Sequence, residues 1–255
     1  MSATATTTKG IDCATPLTAS TAGAIAKEGY KFAARYLVPD SYGWKRLTPS
    51  EAKTITDAGM QIVSVYETSA NRPAGGASSG QQDGAAALKE AQTVKQPTGS
   101  AIYFAVDYDA QPQDYDKIEQ YLKAAAAQIS GYVAGVYASF AVVEEMYKRG
   151  ACKRFWQTYA WSGGKKSQHA NLYQYKNGAT VGGVQVDLND GYGNEGSWNT
   201  KSGGGGEDVM SQDDANKIIR FLSAGWYVAT TKADKDEFNR LANEIRKAAG
   251  MPPEK

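Results

Sequence analysis

The chain has 255 residues, 42% of them hydrophobic, with 28 basic and 27 acidic side chains and a formal net charge of +1. That is ample material for a globular core, and it offers no basic excess for nucleic acid or for an anionic membrane surface. Two cysteines and one histidine exclude a disulfide framework, a cysteine-based zinc centre and multi-histidine metal sites, so neither metal nor cofactor is expected.

Cys13 and Cys152 are expected as free thiols, a single disulfide being the alternative, and His169 in SGGKKSQHAN as a solvated loop residue. No run approaches the length of a membrane span, and MSATATTTKG lacks the charged start and apolar core of a secretory signal. The expectation is a chain made in the cytoplasm, without membrane insertion.

In chain order, a unit of helix, glycine and strand occurs three times. Residues 18 to 28 read as a helix stopped at Gly29, before YKFAARY. Thr48 to Ala58 read as a helix stopped at Gly59, before MQIVSVYE, and opening on a capping box with proline at its first position. Pro112 to Ser130 read as a helix stopped at Gly131, before YVAGVYAS, with Tyr115, Ile118, Leu122, Ala126 and Ile129 as its apolar stripe. Candidate strands fall at 10 to 13, 30 to 37, 61 to 67, 101 to 107, 133 to 138, 157 to 161, 171 to 175 and 183 to 188. Further helices fit at 79 to 95 and 139 to 150. Ser69 to Asp83 is Gly/Ser-rich and reads as a mobile flap or an ordinary connection. Five strand-helix units followed by three strands predict an α/β, TIM-like closed barrel; an open doubly wound sheet lacks its glycine-rich phosphate loop here.

Acids mark the strand ends. In AIYFAVDYD, alternation puts Ile102, Phe104 and Val106 on one face and Tyr103, Ala105, Asp107 and Asp109 on the other. Strand eight repeats this, with Val184, Val186 and Leu188 outward and Gln185 and Asp187 toward the lumen. Asp12 ends strand one and Glu67 strand three, so five carboxylates are expected to rim one mouth. Crowded acids raise one another's pKa values, which suits a general acid beside an ionised partner; helix capping is the structural alternative for one or two of them. Tyr66, Tyr108, Tyr137, Trp161 and Tyr175, near strand ends, are candidates for stacking on sugars.

In this order GIDC, VSVYE, IYFAVDYD, GVYAS, WQTYAW, LYQY and VQVDLND resemble the glycoside-hydrolase-like barrels related to the family 25 lysozymes, over about residues 9 to 199. The resemblance implies muramidase-like cleavage of bacterial peptidoglycan by a phage endolysin, released through a holin pore. It makes Asp12, Asp107 and Asp187 the matches of the family's active-site aspartates and adds weight to Tyr137 and Gln174. The family carries Asp-x-Glu on strand four where this chain has Asp107, Tyr108, Asp109. Glu67, with its longer side chain, is therefore the preferred proton donor over Asp109. The other reading is a non-catalytic barrel that binds cell-wall glycan.

The domain boundaries are read as a barrel over 1 to 200, a glycine-rich linker over 201 to 208 and a helical segment over 209 to 255. There Ser211 is expected to cap a helix through Leu222, and a second helix runs from about Lys232 to Ala249. Ile218, Ile219, Leu222, Phe238, Leu241 and Ile245 exceed what two helices can cover, which points to a homo-oligomer or to docking on the barrel.

Overall fold

The computed structural model describes residues 7 to 201, 212 to 249 and 251 to 252. They form two compact units that divide after residue 204. The first is a closed eight-stranded barrel whose strands follow one another in sequence order. Strands β1 (Thr8–Asp12), β2 (Phe32–Tyr36), β3 (Gln61–Tyr66), β4 (Ala101–Ala105), β5 (Val133–Ala138), β6 (Arg154–Thr158) and β7 (Leu172–Val181) run parallel; β8 (Val184–Gly191) is antiparallel to both neighbours.

Five helices surround the first six strands: α1 (Ala19–Lys27), α2 (Pro49–Asp57), α3 (Gly76–Thr93), α4 (Tyr115–Gln128) and α5 (Phe140–Lys148). The stop glycines Gly29, Gly59 and Gly131 have φ of 95°, 86° and 88°, the left-handed region that a side chain resists. The capping box expected at Thr48 forms by half. Thr48 Oγ1 accepts from the Glu51 amide, but the Glu51 carboxylate turns inward, accepting from Leu17 N at 2.8 Å and from the buried Arg35 Nε at 2.7 Å.

Alternation sorts the core into two layers. Phe32, Ala34, Val63, Val65, Tyr103, Ala105, Trp156 and Leu172 fill the lumen, while Ile62, Ile102, Phe104 and Val136 pack outward against the helices. A Cβ on Gly135 would lie 2.6 Å from the Tyr103 ring, so this glycine makes room for a lumen aromatic.

Two expectations are corrected here. Residues 69 to 83 are not a flap: a 3-10 turn over Arg72–Gly75 leads straight into α3. Gly84 lies so close to α4 that a Cβ would come within 2.6 Å of the Ala125 carbonyl oxygen, and one on Gly80 would overlap that of Tyr121. These glycines serve close helix packing rather than mobility. Arg72 and the Tyr121 hydroxyl both bond the buried Asp83, pinning the segment. The second correction concerns β6, which starts and ends three residues earlier than expected. Strand β8 reverses direction after a two-residue turn. Gly182 and Gly183 (φ 57° and 79°) supply the positive torsions that such a hairpin needs.

The second unit pairs α6 (Gln212–Val228) with α7 (Lys232–Ala248). Helix α6 continues six residues past the expected Leu222, and Thr231 caps α7 by accepting from the Asp234 amide. Gly225 lets the helices meet, since a Cβ there would lie 2.6 Å from the Phe238 ring. Phe221, Tyr227 and Val228 are largely exposed. Most of the expected linker, and Ser211, lie outside the described residues.

Candidate active site

The lumen opens at the C-terminal ends of the parallel strands into a pocket lined by Asp12, Tyr36, Glu67, Asp107, Tyr137, Trp156, Gln174, Asn177 and Asp187. Lumen-facing parity carries Asp12 on β1, and extends past the ends of β3 and β4 to Glu67 and Asp107. Asp187 arrives differently. It is the fourth residue of β8, paired with Asp12, and it reaches the mouth because the β7–β8 hairpin rises past the rim before the chain descends.

Four carboxylates thus converge, and two of them, Asp12 and Asp187, are held by amides. Asp12 Oδ2 accepts from Asn189 Nδ2 at 2.6 Å and from Gln174 Nε2 at 2.9 Å, and Asn189 is itself fixed by the Trp156 indole at 2.8 Å. Asp187 accepts from the Gly178 amide at 2.8 Å and from Gln174 at 3.3 Å. Burial, with the charge of Asp187 second, pushes Asp12 up to about 7 against the lowering effect of its two amide donors. Asp107 is raised by burial and by the charges of Glu67 and Asp187, with Lys45 opposing. Burial also raises Asp187, against the Gly178 amide. Lys45 places its ammonium 3.3 Å from Glu67 Oε2 and 4.4 Å above the Tyr36 ring. Among the described residues no group of three or more His, Cys, Asp or Glu is arranged to hold a metal ion.

The expected residues separate cleanly. Asp12, Glu67, Asp107, Asp187, Tyr137 and Gln174 line the pocket; Asp109, Tyr66, Tyr108, Trp161 and Tyr175 do not. Asp109 is exposed, because β4 ends at Ala105 and a turn closed by Ala110 N to Tyr108 O breaks the alternation. Tyr66 packs outward on Phe104 with ring centroids 6.0 Å apart, and Tyr108 and Tyr175 pack against the outer core. Trp161 stands exposed on the loop after β6. Sequence reasoning missed Tyr36, Lys45, Trp156, Asn177 and Asn189. Lumen parity along FAARY and VDLND would have found Tyr36 and Asn189.

A carboxylate-lined mouth on an eight-stranded barrel fits a glycoside hydrolase-like protein, and the comparisons place the chain in that class. Residues 23–191 match the family described as "Rv2525c-like, glycoside hydrolase-like domain", and the chain belongs to that family. The Tat-secreted protein Rv2525c of Mycobacterium tuberculosis, solved with L-tartrate, aligns with a TM-score of 0.69 at 27% identity, over 75% of this chain and 98% of that one. GHIP, a glycosyl hydrolase 25 of Streptococcus pneumoniae, shares the fold with a TM-score of 0.53 at 12% identity, over 71% and 86% of the two chains. Among curated proteins, the uncharacterized protein FadG of Bacillus subtilis (strain 168) is 35% identical over 116 residues, 42% of this chain and 19% of that protein. The chain spans under a fifth of the length of the curated relatives it matches.

Proposed function

We propose that the barrel hydrolyses the glycan strand of bacterial peptidoglycan, with Asp107 and Glu67 as its acid and base pair. The observation that carries this reading is the convergence of Asp12, Glu67, Asp107 and Asp187 on one pocket. Hydrolysis of a glycosidic bond needs one carboxyl that holds a proton for the leaving oxygen and a second that is ionised. Asp107, raised by burial and by its acidic neighbours, supports the first role. Glu67, ion-paired with Lys45, supports the second. This exchanges the roles expected from side-chain length alone, since the reach of Glu67 is taken up by that lysine. Asp12 and Asp187, anchored by amides, orient the substrate's polar substituents.

A second reading, a barrel that binds wall glycan without cutting it, is favoured by one observation: Asp109, at the position of the glutamate in the family 25 pattern, is exposed outside the pocket. The experiment is release of reducing ends from purified peptidoglycan. Wild-type release that is lost in Asp107→Asn and Glu67→Gln supports hydrolysis; sedimentation with peptidoglycan and no release supports binding alone. An endolysin's role, and passage through a holin, would belong to the first outcome only if the source is a phage. The related mycobacterial protein is described as Tat-secreted, and no described helix here is long and apolar enough to cross a membrane.

A further inference from the structure

Four large hydrophobic side chains are exposed among the described residues of the barrel unit: Trp44, Tyr147, Tyr159 and Trp161. Scattered surface aromatics are ordinary, but these are not scattered. Trp44 lies on the loop between β2 and α2, and Tyr159 and Trp161 on the loop after β6. Three of the four therefore sit at the C-terminal ends of strands, the face where the pocket opens. In a closed barrel with strand order one to eight, β2 and β6 are four strands apart and face each other across the mouth. Asp12, Glu67, Asp107 and Asp187 lie between them.

Both platforms rise from backbone that is held by its neighbours. Trp44, 64% exposed, has the Lys45 ammonium 5.4 Å from its ring, and that lysine is fixed at its other contacts by Glu67 and by Arg35 Nη2, which donates to its carbonyl at 3.2 Å. The loop of Trp161 is anchored by the buried Ser162. Its hydroxyl donates to Thr158 O at 2.6 Å and accepts from Phe140 N at 2.9 Å, at the start of α5, where Ser139 makes no side-chain cap. Trp161 itself is held at a φ of 53°, a left-handed torsion that a bulky residue rarely adopts and that persists only where the surroundings fix it. An exposed indole presented by a rigid loop binds without the ordering cost that a mobile one incurs.

From this placement we propose that Trp44 and Trp161 are stacking platforms on opposite sides of the mouth, so that a glycan chain lies across the barrel from the β2 side to the β6 side over the carboxylates. The ligand class is a polymer with several sugars on each side of the acids, not a short end piece. The inference rests on the glycan reading above, and it concerns binding, so it is tested separately from cleavage.

The experiment is calorimetric titration of the full chain with N-acetylglucosamine oligomers, a hexasaccharide against a disaccharide, in wild type, Trp44→Ala and Trp161→Ala, with reducing ends measured in parallel. The expected result is wild-type preference for the hexasaccharide, a loss of about tenfold in its affinity in each variant, and unchanged disaccharide binding. Chain-length preference equal in all three proteins overturns the platforms, whether or not the enzyme cuts. Wild-type preference that is lost in both variants, with no reducing ends released from peptidoglycan by the wild type, leaves the platforms standing and overturns hydrolysis. Absence of binding to either oligomer and to peptidoglycan overturns both. Unfolding midpoints equal to wild type confirm that the variants are folded.

Discussion

Gln174 donates to Asp12 at 2.9 Å while its own carbonyl oxygen accepts from Tyr137 and Thr158, each at 2.8 Å. One buried amide thus ties the carboxyl at the end of β1 to hydroxyls on β5 and β6. That carboxyl ionises near 7 in the folded chain, against 3.8 for a free aspartate. Below about pH 4 both states hold the proton; through the window the unfolded chain gives it up first, so this group's stabilising contribution is lost as pH rises and levels off above about 7. At 1.36 kcal/mol per unit the change is about 4 kcal/mol. Asp12→Asn should remove this component of the pH slope. Urea unfolding of both proteins at about pH 4 and about pH 8 checks it: equal slopes would refute the buried ionisation.

Glu67→Gln and Asp107→Asn should each lower peptidoglycan hydrolysis by about 10² to 10⁴ with normal folding, the range for losing a general acid or base. Full activity in either variant, with an unchanged circular dichroism spectrum, would remove that residue from the chemistry.

If Asp107 carries the proton, kcat/KM should fall as pH rises through its raised pKa. The Lys45 ammonium opposes that rise, so Lys45→Met should move the alkaline limb to higher pH. A limb that stays in place or moves down would assign the proton elsewhere.

Asp109→Glu should leave the rate within about twofold of wild type, because the side chain is exposed outside the pocket and a methylene adds little reach from there. A large gain in steady-state rate would show instead that the turn after β4 swings inward when substrate binds.

Gly84→Ala places a methyl within 2.6 Å of the Ala125 carbonyl oxygen. Separation of α3 and α4 should cost about 1–3 kcal/mol, read as a lower urea midpoint with an unchanged slope. For the helical unit we propose self-pairing through α6, whose Phe221 and Tyr227 are largely exposed. Phe221→Glu should then lower the mass found by sedimentation equilibrium.

How much of this could be read beforehand depended on whether the alternation rule was applied to both faces. It placed Asp107 with Tyr103 and Ala105, as found. Applied equally to Tyr66, Tyr108 and Tyr175, it would have turned all three away from the lumen, since each neighbours a lumen residue: Glu67, Asp107 and Gln174. The reversal of β8 was hidden because a two-glycine turn between apolar runs looks like an ordinary strand boundary. The rigid path of residues 69 to 83 was hidden for a different reason. The same glycines that loosen a loop permit helices to touch, and only Tyr121 and Ala125 across the gap decide which role they have. Lys45 had no sequence signal, because its partners Tyr36 and Glu67 come from two other elements.

The antiparallel last strand has an architectural outcome. Since β8 descends from the mouth, the chain leaves the barrel on the same side as β1 enters, and residues 196 to 200 then run beneath β3 and β4, where Trp198 exchanges backbone hydrogen bonds with Ile62 and Ala101 N donates to Gly196 O. The floor is covered on that side by the chain's own exit, and both ends of the barrel segment lie on the face away from the carboxylates. With both ends on the face away from the pocket, neither the approach to β1 nor the departure from β8 takes up space at the mouth, whose outline is left to the loops between strands.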